Sequence, residues 1–548
     1  MRHLLRLLLP LVIAPPLHAD LSPLLDRVPP DAMGAIVIPD LRDFNDHTTQ
    51  LIGAMELTSS NLEQVLGVLG IRDAIDFDAP AAAVLFPFPD NADAYHQWVA
   101  LLPTKNDRAL PASLRAEPDP PLQRFQFNRE TMWIKPITPR LAAVGPSRER
   151  LLSFNADPGH LALHRDLLGH AASALDGADA YLYANVAQAG QLLDLVRAAA
   201  SGNLAALPVP TDTLLGGMAA RFVRHNADLL ERDGQASVVA MSFSALGLRL
   251  DCASSFRPDS EFGRTIQLES FRAPHRLDGV PDQPFLGAAW WRMDQRILAA
   301  MLPEADRDGR VAIDYASMLE GSREVEVGVL APRSLAQGVI AGTVVHFRHD
   351  EPGAVRDRFR RALRELEAPL KASYEVGRVM PMEADAWAIQ LPVAARPGAV
   401  LYFGPAAGLK GPSGLFHVRA DDGYATLTPS EGLLIDAIEA TDDHGPRLAD
   451  NGIVGQLLSL LPSDPDALAL VSVEPVMPQL LPMLEGALGQ EVQVPPQLPP
   501  VGGVLRARQH ATHASVYVPT PNLQLLLNLY RAWDAGSGGR GVSSPSTP

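Results

Sequence analysis

The sequence predicts an α+β fold, with curved antiparallel sheets backed by helices and the whole plan internally duplicated into two similar lobes. Three observations lead there. Short apolar runs bounded by turn formers recur along the chain, and at about six residues they are too short for a stable helix and long enough for a strand. Apolar residues three to four apart follow them, the stripe of a helix that packs on a sheet. The unit itself repeats: Asp31-Ala32 opens a run to Ile38, Asp179-Ala180 one to Val186, and Asp466-Ala467 one to Val473, with a looser copy from Gln283 to Trp291.

After the first strand, Leu41, Phe44, Thr48, Leu51, Ile52 and Met55 mark a helix, and Leu62, Val65, Leu66 and Leu69 a second. Strands follow at Ala81 to Phe86 and Gln97 to Leu102. A short helix at Asp107 to Arg115 leads to a meander of Leu122 to Phe127, Thr131 to Lys135 and Leu141 to Val144. Ser147 can cap the next helix. Beyond Asp179, helices reach about Ser201 and run from Asp212 to Leu230, ahead of paired strands at Gln235 to Ser244 and Leu246 to Ser254.

From Leu277 the order restarts. Strand (Phe285 to Trp291), helices (Asp294 to Leu302, Ile313 to Leu319), strands (Glu324 to Leu330, Gly338 to Phe347) and a helix (Pro352 to Leu366) echo the first half. Strands near Tyr374 to Val379, Ala386 to Leu391 and Ala399 to Phe403 come next. Ala425 to Glu431 then matches Ala142 to Ser147. The reading is a first lobe over 20–276 and a second over 277–534, with an insertion around 396–414. A hairpin, Val504 to Gln509 with Ala514 to Val518, leads to a last helix whose stripe of Leu523, Leu526, Leu527 and Tyr530 is expected to dock on the core. Residues 535–548, rich in Gly and Ser, read as a disordered tail.

The N-terminus carries Arg2 and Arg6, an apolar stretch from Leu7 to Ala14, and Leu17-His18-Ala19 ahead of Asp20. That order is a secretory signal peptide over 1–19, cleaved near Ala19, so the working place is periplasmic or secreted. No later stretch approaches twenty apolar residues, and no transmembrane segment is predicted. The 548-residue chain has a formal charge of −17, with 47% apolar and 20% charged residues. Such a charge disfavours nucleic acid and anionic membranes as partners. Cys252 is the one cysteine, so no internal disulfide is available, and its alternating strand context predicts a buried thiol.

Local motifs exclude more than they propose. There is no Gly-x-Ser-x-Gly, no phosphate-binding Gly-x-x-x-x-Gly-Lys and no dinucleotide fingerprint after a strand. His160 and His164, four apart without the glutamate of a metalloprotease helix, read as a solvated face with His170. The pairs His346 with His349 and His510 with His513 have odd spacing on strands. Glu304, Asp306 and Asp308, with Gly309 for the turn, resemble a calcium loop, but Tyr315 stands where the closing acid belongs. An acidic interhelical loop is the plainer reading there, and no other cofactor is indicated. Arg356, Arg358, Arg360, Arg361 and Arg364 surround the stripe Val355, Phe359, Leu363 and Leu366, a face that could hold an anionic partner or pair with neighbouring acids.

Val28-Pro29-Pro30-Asp31-Ala32 and Tyr517-Val518-Pro519 give the chain a resemblance to exported bacterial proteins of unknown function whose strand–helix unit repeats after the signal. The resemblance brings no catalytic residues. Three functions are compatible with the sequence: a non-enzymatic binding or scaffold protein of the bacterial envelope, a periplasmic carrier of an apolar small molecule between two lobes, and a hydrolase whose site assembles in space. A histidine of shifted pKa beside a serine or acid would mark the last.

Overall fold

The computed structural model describes residues 23–57, 60–88, 97–202, 214–267, 277–292, 296–297, 301, 322–331, 342–349, 388–390, 399–405, 415–421, 424–428, 431–441 and 444–538. They form an α+β architecture in which the chain divides into two compact units. Unit 1 comprises 1–269 with 507–520, and unit 2 comprises 270–506 with 521–548.

The strands of unit 1 are β1 (Gly34–Ile38), β2 (Ala81–Leu85), β3 (Trp98–Pro103), β4 (Glu117–Asp119), β5 (Leu122–Phe127), β6 (Glu130–Thr138), β7 (Leu141–Gly145), β8 (Ala180–Asn185), β9 (Gly234–Ser244) and β10 (Gly247–Phe256). Unit 2 supplies β11 (Phe285–Trp291), β12 (Ser322–Leu330), β13 (Thr343–His349), β14 (Ala388–Gln390), β15 (Ala399–Pro405), β16 (Leu415–Asp421), β17 (Tyr424–Thr428), β18 (Ala467–Val471) and β19 (Val501–Arg508). The chain then gives β20 (Ala511–Pro519), which falls in unit 1 because it pairs along its length with β10. That pairing is why unit 1 takes in residues beyond the expected 20–276.

Among the described residues each of the following pairings is antiparallel. The order in unit 1 is β4-β5-β6-β7-β3-β2-β1-β8-β9-β10-β20. In unit 2 it is β14-β15-β16-β17-β13-β12-β11-β18-β19. Adding ten to each of the first nine labels of unit 1 reproduces the order of unit 2. β15 holds the place of β5, although it lies inside the stretch that the sequence assigns to an insertion.

The correspondence extends to single bonds. Asp179 N–H donates to Met241 O at 2.9 Å, and Asp466 N–H to Leu505 O at 2.8 Å. Ahead of each first strand stands a buried anchor that the sequence reading overlooked, Leu25-Asp26-Arg27-Val28-Pro29 and Leu277-Asp278-Gly279-Val280-Pro281, with the Leu and Val of each at most 2% exposed.

In unit 1 the period-two alternation of the strands gives the sheet two different faces. Ala35, Val37, Tyr181, Tyr183, Val238 and Ala253 face one core, closed by Leu151, Phe154, Leu168 and Leu175 from the segment between β7 and β8. Ala81, Ile134, Ala142 and Val144 face the other, under Leu41, Ile71, Ile75 and Leu110. Gly34 is required between β1 and β8, because a Cβ there would lie 2.1 Å from Tyr183 O.

The helix Leu41–Ala54 begins where Asp40 accepts the N–H groups of Arg42 and Asp43, and it buries Leu41, Phe44, Thr48 and Leu51 as its spacing predicts. Among the described residues no helix is long and apolar enough to cross a membrane.

Candidate functional site

Two histidine–carboxylate pairs lie in unit 1. His47 projects from the helix Leu41–Ala54, and its Nδ1 lies 3.3 Å from Oδ1 of Asp179, the turn residue that opens β8. Asp179 is 7% exposed, and its Oδ2 accepts the Phe243 N–H at 3.1 Å. Burial pushes its pKa up to about 8, with Asp43 adding to the rise and the Phe243 N–H and the Arg249 charge opposing it. Burial also lowers His47, against the pull of Asp43, Asp46 and Asp40. At neutral pH the pair is therefore held by a proton on the carboxyl rather than by opposite charges, since a buried carboxylate with one N–H donor is costly.

The second pair is charged on the acid side. Asp251 on β10 accepts Arg249 Nε–H at 2.8 Å and stands 3.1 Å from His513 Nε2 on β20. Burial pushes Asp251 up, but the His513 hydrogen bond and the Arg249 charge prevail and leave it below the usual carboxylate range. Among the described residues the side-chain hydrogen bonds of His47 and His513 run to Asp179 and Asp251. Ser242 Oγ donates to Gly177 O at 3.0 Å.

Unit 2 buries a polar row on β11, β12, β13 and β17. Trp290 Nε1–H donates to Glu324 Oε1 at 2.5 Å, and Gly279 N–H to Glu326 Oε2 at 2.8 Å. His346 Nδ1 and Thr426 Oγ1 are 2.8 Å apart. Burial raises Glu326 well above its ordinary value and pushes His346 down to about 4, which leaves the imidazole uncharged at neutral pH. Gly279 of the anchor is needed here, because a Cβ would come within 2.5 Å of the His346 ring. Among the described residues no group of three or more His, Cys, Asp or Glu is placed to hold a metal ion.

The third feature is apolar. The last helix, Thr520–Gly538, packs Leu525, Leu529 and Ala532 into a core with Met477, Leu481, Val492 and Leu498. The sequence reading puts Leu526 and Tyr530 on that docked face. The structure instead turns them outward, 55% and 56% exposed, with Trp533 at 47%. They fall at i, i+4 and i+7, one stripe along the helix. The rings of Tyr530 and Trp533 lie 6.2 Å apart, inclined at 45°. The helix is apolar on more than one side, so periodicity could not choose the buried one.

Other sequence expectations divide. Glu304, Asp306 and Asp308 of the calcium-loop pattern lie outside the described residues, as do Arg356, Arg358, Arg360, Arg361 and Arg364 and the leader 1–19. His164 is not solvated: it is 1% exposed, with Nδ1 2.9 Å from Tyr183 Oη and Nε2 2.8 Å from Val28 O. The spacing Leu161, His164, Leu168 puts it on the apolar stripe of its helix. Cys252 is exposed, not buried, because its side of β10 is the one turned away from Asp251 and Ala253.

No family model matches the chain, and no curated protein does. Among solved structures, crystal forms I and III of TP0453 align with 44% of this chain at 10% identity and a TM-score of 0.23, covering 81% and 82% of their own lengths.

Proposed function

We propose that the chain is an exported, non-enzymatic binding or scaffold protein of the bacterial envelope, released from its leader near Ala19. The observation that supports this reading is the stripe Leu526, Tyr530 and Trp533, held in solvent by a helix whose adjoining side, Leu525, Leu529 and Ala532, is fixed in the core. Large aromatic side chains lose about 1.5–3 kcal/mol each when left exposed rather than buried, and exposed apolar patches of this kind mark interaction sites.

A photo-crosslinking residue in place of Tyr530 is expected to give one discrete protein adduct in intact cell envelopes. The same residue at exposed Asp157 is expected to give none. Equal labelling from both positions contradicts the reading.

A carrier of an apolar molecule has one observation in its favour. On the second face of unit 1, Ile36, Leu182, Val239, Cys252 and Ala514 stand opposite one another across five strands without a charge, and none of them is fully buried. A bound lipid removable by organic solvent would select that reading.

A further inference from the structure

We infer that the anchor Leu277–Pro281 is a proton-controlled strap across the buried polar row of unit 2, closed in mild acid and released as the medium turns alkaline. The inference is independent of the last helix.

The repeated strand order supplies an internal control. In unit 1, Val37 pairs with Ala82, Ala82 with Leu101 and Leu101 with Ala143, a buried row that is wholly apolar. The same four places in unit 2 are Trp290, Glu326, His346 and Thr426, paired in the same order and also buried. The places correspond because Tyr181 and Leu468, each two residues beyond the repeated aspartate, are the partners of Val37 and Trp290. Unit 1 thus completes this core without a polar side chain. The fold does not demand the carboxyl and imidazole of unit 2, and burying them costs free energy.

The strap has changed together with the row. Arg27 of the first anchor is replaced in the second by Gly279, where the His346 ring leaves no room for a Cβ. Glu326 Oε2 accepts the Gly279 N–H at 2.8 Å, and the Asp278 N–H is a second donor to the same carboxyl. Val280 packs on Gly328, and its carbonyl accepts the Leu448 N–H at 2.8 Å. Both titratable groups of the row therefore lie under one short backbone segment, and release of that segment frees 446–448 as well.

Burial raises Glu326, the Gly279 N–H opposes the rise, and the charges of Glu324 and Asp278 add to it. The nearest cations serve those two acids: Arg348 is 3.8 Å from Glu324, and Arg447 is 3.8 Å from Asp278. The helix Glu431–Thr441, which packs on β13 and β17, buries Leu434, Ala437 and Ile438. The closed strap consequently holds a proton on Glu326 that the released chain gives up above its ordinary 4.5, so closure weakens as pH rises. His346, pushed down to about 4, acts in the opposite direction, because a released imidazole takes up a proton below 6.5. The two effects offset each other between 4.5 and 6.5, and above 6.5 Glu326 acts alone.

The test is hydrogen exchange of the whole mature protein from pH 6.5 to 8.5, read by mass spectrometry and corrected for the intrinsic rise of exchange with pH. It compares the peptide over 277–283 with that over 24–30. Protection of the strap is expected to fall about tenfold across this range, and that of the first anchor less than about threefold. Glu326→Gln keeps an acceptor for the Gly279 N–H and cannot ionise, so its strap should hold protection within about twofold. His346→Leu, which installs the residue type of Leu101, should leave the alkaline fall in place. Circular dichroism of each variant establishes that the fold is kept.

An equal fall in Glu326→Gln overturns the proposal, as does a fall that His346→Leu abolishes. So does a wild-type strap whose protection changes no more with pH than that of the first anchor, or rises toward pH 8.5.

Discussion

His164→Ala is expected to destabilise the protein by about 3 kcal/mol, seen as a lower denaturant midpoint with an unchanged slope. The imidazole sits in the core with both nitrogens satisfied. Carbonyl Val28 O can only accept, so Nε2 carries the proton and Nδ1 accepts from the Tyr183 hydroxyl. Burial lowers the pKa of His164, which keeps it in that neutral form. Alanine removes the packing and leaves Tyr183 Oη and Val28 O unpaired together, two costs that add. Tyr183→Phe removes one bond and leaves Nδ1 unpaired, so its expected loss is smaller, about 1–2 kcal/mol. If His164→Ala costs no more than Tyr183→Phe, the buried histidine is not a structural tie.

Asp179→Asn is expected to stabilise the protein at pH 9 by roughly 2 kcal/mol and to leave it nearly unchanged at pH 4. The folded pKa, pushed up to about 8, lies above the unfolded value of 3.8, so the native state holds a proton that the unfolded chain has released. Stability from this group is therefore greatest at acid pH and declines as pH rises from 3.8 to about 8. Asparagine can keep the Phe243 N–H bond and needs no proton, so the decline should flatten. Melting temperatures of both proteins from pH 4 to 9 make the comparison. A wild-type curve that rises over this range relative to the variant would mean that Asp179 is held as a carboxylate by a protonated His47.

The strands were readable because bounded apolar runs are local: Gly34–Ile38, Ala180–Asn185 and Ala467–Val471 all stand where their Asp-Ala openings place them. The helix Leu41–Ala54 was equally plain, since its cap and stripe lie within fifteen residues of each other. Pair formation was not. His47 and Asp179 are 132 residues apart, and His513 and Asp251 are 262 apart, so nothing near either residue announces its partner. The strand order β7-β3-β2-β1-β8 likewise depends on pairings across long separations. His164 stands between Leu161 and Leu168 on the apolar stripe of its helix, a local signal for burial that the four-residue spacing from His160 masks. The last helix shows the limit of periodicity, because Leu525 and Leu526 are equivalent as letters and only tertiary packing buries the first and exposes the second.

Native mass spectrometry of the mature protein, purified gently from its own cell envelope, tests the central claim most directly when wild type is compared with Leu526→Ser, Tyr530→Ser, Trp533→Ser. Binding through the last helix predicts a wild-type protein adduct that the triple variant lacks while both retain the same folded charge-state envelope. An adduct that survives the triple substitution, or a bare wild-type chain that turns over a substrate in an activity screen, would contradict it.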